Sequence, residues 1–170
     1  MSAEADAKPS GYLWGRWSAL GLTVVVATAA IDQAHKYWML NVYDIAARGR
    51  VQVTPFFDLV FVKNTGISYS MFDSDSPAGQ IALAAFAAVT SLALWAWLSR
   101  GSTGKLMTWS LALIIGGAIG NAIDRMTLGG VADFFSLHAL DFYWYVFNLA
   151  DMAIVAGVAG LLYDSVRGES

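Results

Sequence analysis

The sequence has no cysteine, only two histidines and three prolines, and charged residues make up just 14% of it. Without cysteine there are no disulfides, no thiol nucleophile and no cysteine-based metal site. His35 and His138 are far apart, and neither belongs to an HExxH-like pair. Each reads as an interfacial polar side chain, and no metal or other cofactor is expected. No run of Lys or Arg forms a basic patch and the formal net charge is −3, so nucleic acid is not an expected partner. Charge is scarce because hydrophobic residues take 57% of the chain, with a mean hydropathy of +0.53. Soluble domains carry about a quarter charged residues. The composition therefore predicts a membrane protein, with residues 1–170 as a single domain.

Residues 1–11 are polar and small and read as a cytoplasmic tail, followed by Tyr12, Trp14, Arg16 and Trp17, a pattern that marks a membrane interface. The run from residue 18 to 40 is long enough to cross, since a crossing takes about 20 residues. Ala27-Thr28-Ala29 mimics a small-x-small cleavage site, but Glu4 and Asp6 do not suit a basic leader. This segment is therefore read as a span. It carries Asp32 and Lys36, four apart and on one helix face. They form either a salt bridge that fixes helix depth or a brace for a site. Further spans are expected at about 78–98, 106–124 and 146–163, with outer segments at 41–77 and 125–145. Within the first outer segment, VQVTPFF (51–57) and LVFVKN (59–64), punctuated by Pro55 and Asp58, predict a small sheet on the membrane surface. Asn64-Thr65-Gly66 predicts a turn, and Ile67 to Phe72 an apolar interfacial stretch. The short loop holding Arg100 and Lys105 has no acid and belongs on the cytoplasmic side. Both termini then lie inside.

This topology gathers Asn64, Asn121, Asp124, Arg125, Asp133, Asn148 and Asp151 at the outer face. Each has an ordinary explanation. Asn148 and Asp151 suit the start of a helix, Asp124 could pair with Arg125 or Lys36, and Asp133 could be a solvated loop acid. Together, at one rim of a chain so poor in polar groups, they read as a functional site. Gly117, Gly120, Asn121 and Asp124 share one face of the third span, narrow below and polar at its outer end. Paired carboxylates remain as the hydrolytic option. Two adjacent acids share a proton, one activating water while the other polarises the scissile carbonyl. The positive end of the fourth helix favours charge on Asp151, and Val131, Phe134 and Phe135 favour a neutral Asp133. A proton-conducting or transport protein would use buried acids too, although here they sit at one rim and no repeat is visible. A non-catalytic assembly subunit packed through its small-residue face is a third reading.

DQAHK (32–36), KNTG (63–66), GGAIGNAIDR (116–125), GGVADFF (129–135) and FNLAD (147–151) resemble, in order and spacing, the motifs of the lipoprotein signal peptidases, or signal peptidase II. The resemblance implies a mainly α-helical membrane protein. Its four transmembrane helices carry a small periplasmic β-sheet cradle, with an extracytoplasmic loop or helix between spans three and four. It implies an aspartic endopeptidase of the bacterial inner membrane, probed by the inhibitor globomycin. The enzyme removes signal peptides from diacylglyceryl-modified prolipoproteins just before the lipidated cysteine. By the same resemblance Asp133 and Asp151 are catalytic. Asn64, Gly66, Asn121, Arg125 and Asn148 line the substrate and inhibitor site, and Asp32, Lys36 and Asp124 support it. The protein is expected to be a monomer among membrane lipids. After NxG the family usually has small residues and phenylalanine. Here the run is Ile67-Ser68-Tyr69-Ser70-Met71-Phe72, followed by the acidic DSDSP.

Overall fold

A computed structural model describes residues 13–66, 76–100, 104–139 and 142–168. The expected tail at 1–11 and the apolar stretch at 67–72 lie outside the described residues, as does most of DSDSP. The chain runs through α1 (Ser18–Tyr37), a wider-turned helical extension (Trp38–Val42), a single turn α2 (Ile45–Arg48), β1 (Val51–Thr54) and β2 (Phe57–Asn64). It continues through α3 (Pro77–Ser99), α4 (Lys105–Leu128), β3 (Val131–Ala139), β4 (Phe142–Phe147) and α5 (Leu149–Gly168).

Helix ends follow local chemistry. The Ser76 hydroxyl accepts the Gly79 N–H at 3.1 Å and Pro77 opens α3, which satisfies a donor that a helix start leaves free. α4 stops where Gly129 takes the left-handed φ of 69°. Among the described residues three helices, α3, α4 and α5, are long and apolar enough to cross a membrane. α1 is 20 residues long but carries Asp32, His35 and Lys36 in its final turns. The outer faces of α3 and α5 are apolar: Phe86, Leu92, Val155 and Leu162 are all exposed. Such a surface suits hydrocarbon rather than water.

α4 is the central helix and packs against α1, α3 and α5. Its approach to α5 depends on Gly117, where a Cβ would lie 2.5 Å from the Ala150 carbonyl oxygen. Beneath, Val24, Val25, Leu98, Leu111, Ala112 and Ile115 form the bundle core. The four strands make one antiparallel sheet in the order β1-β2-β3-β4. Ala132 and Phe134 pack with Met39 and Ile45 in a second core. Asp133, between them in sequence, leaves the other face of the strand. All four strands lie at one end of the bundle, because β1 and β2 link α1 to α3, and β3 and β4 link α4 to α5.

The structure corrects four expectations. The loop or helix expected between the last two spans is the pair β3 and β4, because Val131–Ala139 extends the sheet begun by β2. The last long helix begins at Leu149 rather than 146, since Val146 and Phe147 pair with Ser136 and Phe135. α4 runs past Asp124 to Leu128, because no glycine or proline lies between Asp124 and Gly129. Asp58 is no punctuation. It lies inside β2, with the turn falling at Pro55-Phe56.

Asp58 anchors a polar cluster on the sheet. Its carboxylate accepts from Arg50 Nη1 at 2.7 Å and lies 3.3 Å from His138 Nε2. The Arg50 hydrogen bond, helped by His138, holds the carboxyl below its usual value of 3.8. A depressed acid stabilises the fold above its unfolded-state value, and that contribution fades as pH falls through the folded one. Asp58→Asn is therefore expected to lower the melting temperature at neutral pH. The deficit should disappear below the ordinary carboxylate range, as followed by tryptophan fluorescence during heating.

Candidate active site

The sheet end of the bundle collects polar side chains from every long helix, α3 included, whose buried Gln80 donates to the Thr65 carbonyl at 2.6 Å. α1 contributes Asp32, Gln33 and Lys36, and α4 contributes Asn121, Asp124 and Arg125. Asn64 comes from β2, Asp133 from β3, and Asn148 and Asp151 from the start of α5.

Asn148 joins the two aspartates and is fully buried. Its Nδ2 donates to Asp133 Oδ1 at 2.6 Å and to Asn121 Oδ1 at 3.1 Å. Its Oδ1 accepts the Asp151 N–H at 2.9 Å, and its own N–H donates to Asp151 Oδ2 at 3.2 Å. These last two bonds form a reciprocal cap on α5. The remaining carboxylate oxygens are also engaged. Asn64 Nδ2 donates to Asp133 Oδ2 at 3.1 Å and Asn121 Nδ2 to Asp151 Oδ1 at 2.9 Å. Asn64 reaches Asp133 across β2 and β3 as a diagonal neighbour on one sheet face, since Asp133 pairs with Val62 and Asn64 with Val131.

Asp133 is 1% exposed. Burial, and secondarily the Asp151 carboxylate beside it, push its carboxyl up to about 7, against the hydrogen bonds from Asn64 and Asn148. Burial penalises the charged form and a like charge adds to the penalty.

A second polar layer lies below. Lys36 Nζ is 2.8 Å from Asp32 Oδ2, 2.7 Å from Asp124 Oδ2 and 3.2 Å from Asn121 Oδ1. Of the two partners open to Asp124 in the sequence, the structure thus selects Lys36. Gly120 makes room for this layer, since a Cβ there would lie 2.5 Å from Asp32 Oδ2. Gln33 was not singled out from the sequence. Its Nε2 donates to Asp124 Oδ1 at 2.9 Å and to the Gly120 carbonyl at 3.1 Å. The available signal was an amide between Asp32 and Lys36 inside a candidate span, where polar groups are costly.

Above the aspartates opens a cavity of about 270 Å³, lined by Asn64, Gly66, Asn121, Arg125, Tyr145 and Asp151, with Ile154 and Val155 on an apolar wall. Arg125 spans it, donating from Nη2 to the Gly66 carbonyl at 3.4 Å and from Nη1 to the Asn121 carbonyl at 3.3 Å. Asp151 faces this space, whereas Asp133 and Asn148 lie behind its wall, Asp133 covered by Asn64. Among the described residues no three His, Asp or Glu side chains are grouped to hold a metal ion.

The fold is similar to those of solved bacterial membrane enzymes, two of which align over most of the chain. One aligns with a TM-score of 0.70 over 89% of this chain and 90% of its own, at 22% identity. The other aligns with a TM-score of 0.69 over 91% and 97%, at 20% identity. Sequence comparison is more specific. The family model for signal peptidase (SPase) II matches residues 24–167. A lipoprotein signal peptidase of Rhodopseudomonas palustris is 54% identical over 153 residues, covering 88% of this chain and 93% of the relative. One of Nitrobacter hamburgensis is 54% identical over 149 residues, covering 85% and 90%. The chain belongs to the signal peptidase II family of proteases.

Proposed function

We propose that the protein is an intramembrane aspartic endopeptidase that removes the signal peptide from diacylglyceryl-modified bacterial prolipoproteins, cutting just before the lipidated cysteine. The observation that carries this reading is the pair Asp133 and Asp151, linked through the single buried amide of Asn148 just behind the wall of the cavity that Asp151 faces. Asp151 is the base: it faces the cavity at the positive end of α5. Asp133, pushed up to about 7, holds the shared proton. Asn64 swings off Asp133 Oδ2 as substrate enters. Asp151 takes a proton from water, the hydroxide forms a bond to the scissile carbonyl carbon, and Asp133 gives its proton to the carbonyl oxygen. The resulting diol then collapses. Its hydroxyl proton returns to Asp133, the C–N bond breaks, and Asp151 passes its proton to the cysteine nitrogen. Asn64, Gly66, Asn121 and Arg125 hold the peptide, as they line the cavity. A globomycin-type inhibitor would occupy the same space between the aspartates.

The topology of this reading has four spans, α1 among them, in the bacterial inner membrane. Both termini are cytoplasmic, the sheet and site lie near the periplasmic face, and the working form is a monomer surrounded by lipid. The charge distribution supports that orientation. Arg16, Arg100 and Lys105 lie at the end of the bundle away from the sheet, and Arg16 and Lys105 both lie over the Trp17 ring, at 5.0 and 5.7 Å.

The test uses the purified chain in detergent with two synthetic precursors, identical except for diacylglyceryl on the cysteine. Only the lipidated precursor should be cut, and mass spectrometry should place the new N-terminus at the modified cysteine. Equal cutting of both, or cutting elsewhere, overturns the reading.

A further inference from the structure

Lys36 touches neither aspartate, yet each of its contacts leads to one of them. The two carboxylates it gathers, Asp32 and Asp124, are each 1% exposed, and Lys36 itself is 2% exposed. Asp124 Oδ2 also accepts the N–H of Ala132 at 3.0 Å, and Asp32 Oδ1 accepts the N–H of Ala150 at 3.0 Å. Ala132 and Ala150 immediately precede Asp133 and Asp151. The third Lys36 contact, Asn121 Oδ1, belongs to the amide that donates to Asp151.

Both of these N–H groups are ones that regular backbone structure leaves over. β4 pairs with β3 only from Phe135 onward, so Ala132 lacks a neighbouring strand on that side. Ala150 lies in the first turn of α5, where backbone donors have no intrahelical partner. Buried donors of this kind need an acceptor. The fold supplies both acceptors as carboxylates and ties them together with one ammonium.

We propose that Lys36 is a positioning residue for catalysis, whose ammonium sets the separation and relative angle of Asp133 and Asp151 through the Asp124–Ala132 and Asp32–Ala150 clamps. This inference rests on the assignment of those two aspartates as the catalytic pair. An ammonium suits the task because its three donors diverge, whereas a guanidinium offers a planar fork. Loss of the charge leaves two buried carboxylates uncompensated, and the clamps loosen. The pair also loses a nearby positive charge, which otherwise lowers Asp133. The charged or titratable groups around the pair are Asp32, His35 and Lys36 from α1, Asp124 and Arg125 from α4, and Tyr145 from β4, which lines the same cavity as Asp151. α3 contributes none, and on β2 the Lys63 ammonium turns away to the Leu128 carbonyl.

The experiment compares wild type with Lys36→Met in the full chain, using the lipidated precursor. It measures kcat, KM, the pH profile and the melting temperature by tryptophan fluorescence. Lys36→Met is expected to lose about 100-fold in kcat, the scale of a roughly 1 Å misplacement. KM should be unchanged, and the profile should move to higher pH. A purely structural ion cluster would lower the melting temperature while leaving the pH profile of the folded fraction in place. That outcome, or wild-type kcat, overturns the proposal. If Lys36→Met does not fold, Lys36→Arg decides. Reduced kcat in a folded protein supports the proposal, and wild-type kcat overturns it. Asp133→Asn and Asp151→Asn are run alongside. Processing by either of them defeats the catalytic pair itself, whereas their inactivity beside an unaffected Lys36→Met defeats only the role of Lys36.

Discussion

Asp133→Asn and Asp151→Asn are each expected to abolish processing of the lipid-modified precursor, by at least about 10³-fold, in proteins that still insert and fold. The magnitude follows from removing one member of an acid–base pair, an effect of about 10²–10⁴-fold for proton transfer alone. Because the two carboxyls act as a unit, the double substitution is expected to be little worse than either single one. Asparagine is isosteric and keeps one acceptor oxygen, so the Asn64 and Asn148 bonds to position 133 are not both lost. The same carboxyl gives a pH dependence. With Asp133 pushed up to about 7, wild-type activity is expected to fall as pH rises through that value and the shared proton leaves. For stability the sign is reversed from that of Asp58. A buried acid with a raised value favours the fold while protonated, and that advantage is lost between the ordinary value of 3.8 and about 7. The melting temperature of Asp133→Asn relative to wild type should therefore rise across this interval. Near-normal processing by either variant would remove the pair from the mechanism.

Much of this arrangement is legible in the amino-acid sequence. Counting spans put Asn64, Asn121, Asp124, Asp133, Asn148 and Asp151 at one rim, and connectivity alone places the β1–β2 and β3–β4 segments at the same end. The 3.6-residue spacing of Gly117, Gly120, Asn121 and Asp124 marked the face of α4 that meets α1 and α5. Strand limits were less legible. Val146 and Phe147 are as apolar as a span, and only pairing with β3 makes them extended. Asp58 looked like a break because an acid in a strand has low local propensity. Arg50 and His138, which reverse that, arrive from other strands and loops. The connections within the site were hidden for a different reason. Asp124 to Ala132 and Asp32 to Ala150 end on backbone N–H groups, which carry no side-chain signature. Asn148 reads as a helix cap, which it is, and nothing in FNLAD reveals that its amide also reaches Asp133.

That double role makes Asn148 the second large effect. Asn148→Leu fills the same space without polar atoms. Asp133 Oδ1 and Asn121 Oδ1 lose their Asn148 donor at 2.6 and 3.1 Å; Asn121 keeps the Lys36 ammonium at 3.2 Å, but Asp133 Oδ1 is left buried and unpaired, at about 1–3 kcal/mol. Loss of the side-chain cap on the Asp151 N–H adds about 1 kcal/mol. The melting temperature should fall accordingly. Activity should fall by about 10²-fold or more, because both aspartates lose a positioning contact at once. The Asn148 hydrogen bond holds Asp133 down against burial, so the activity that remains should move to higher pH. Asn148→Ser separates the two roles. A serine hydroxyl still caps the Asp151 N–H but is too short to reach Asp133, so this variant should recover part of the stability and none of the rate. Wild-type processing by a folded Asn148→Ser protein would reduce Asn148 to a helix cap, and the two aspartates would then have to be held in register by the layer beneath them alone.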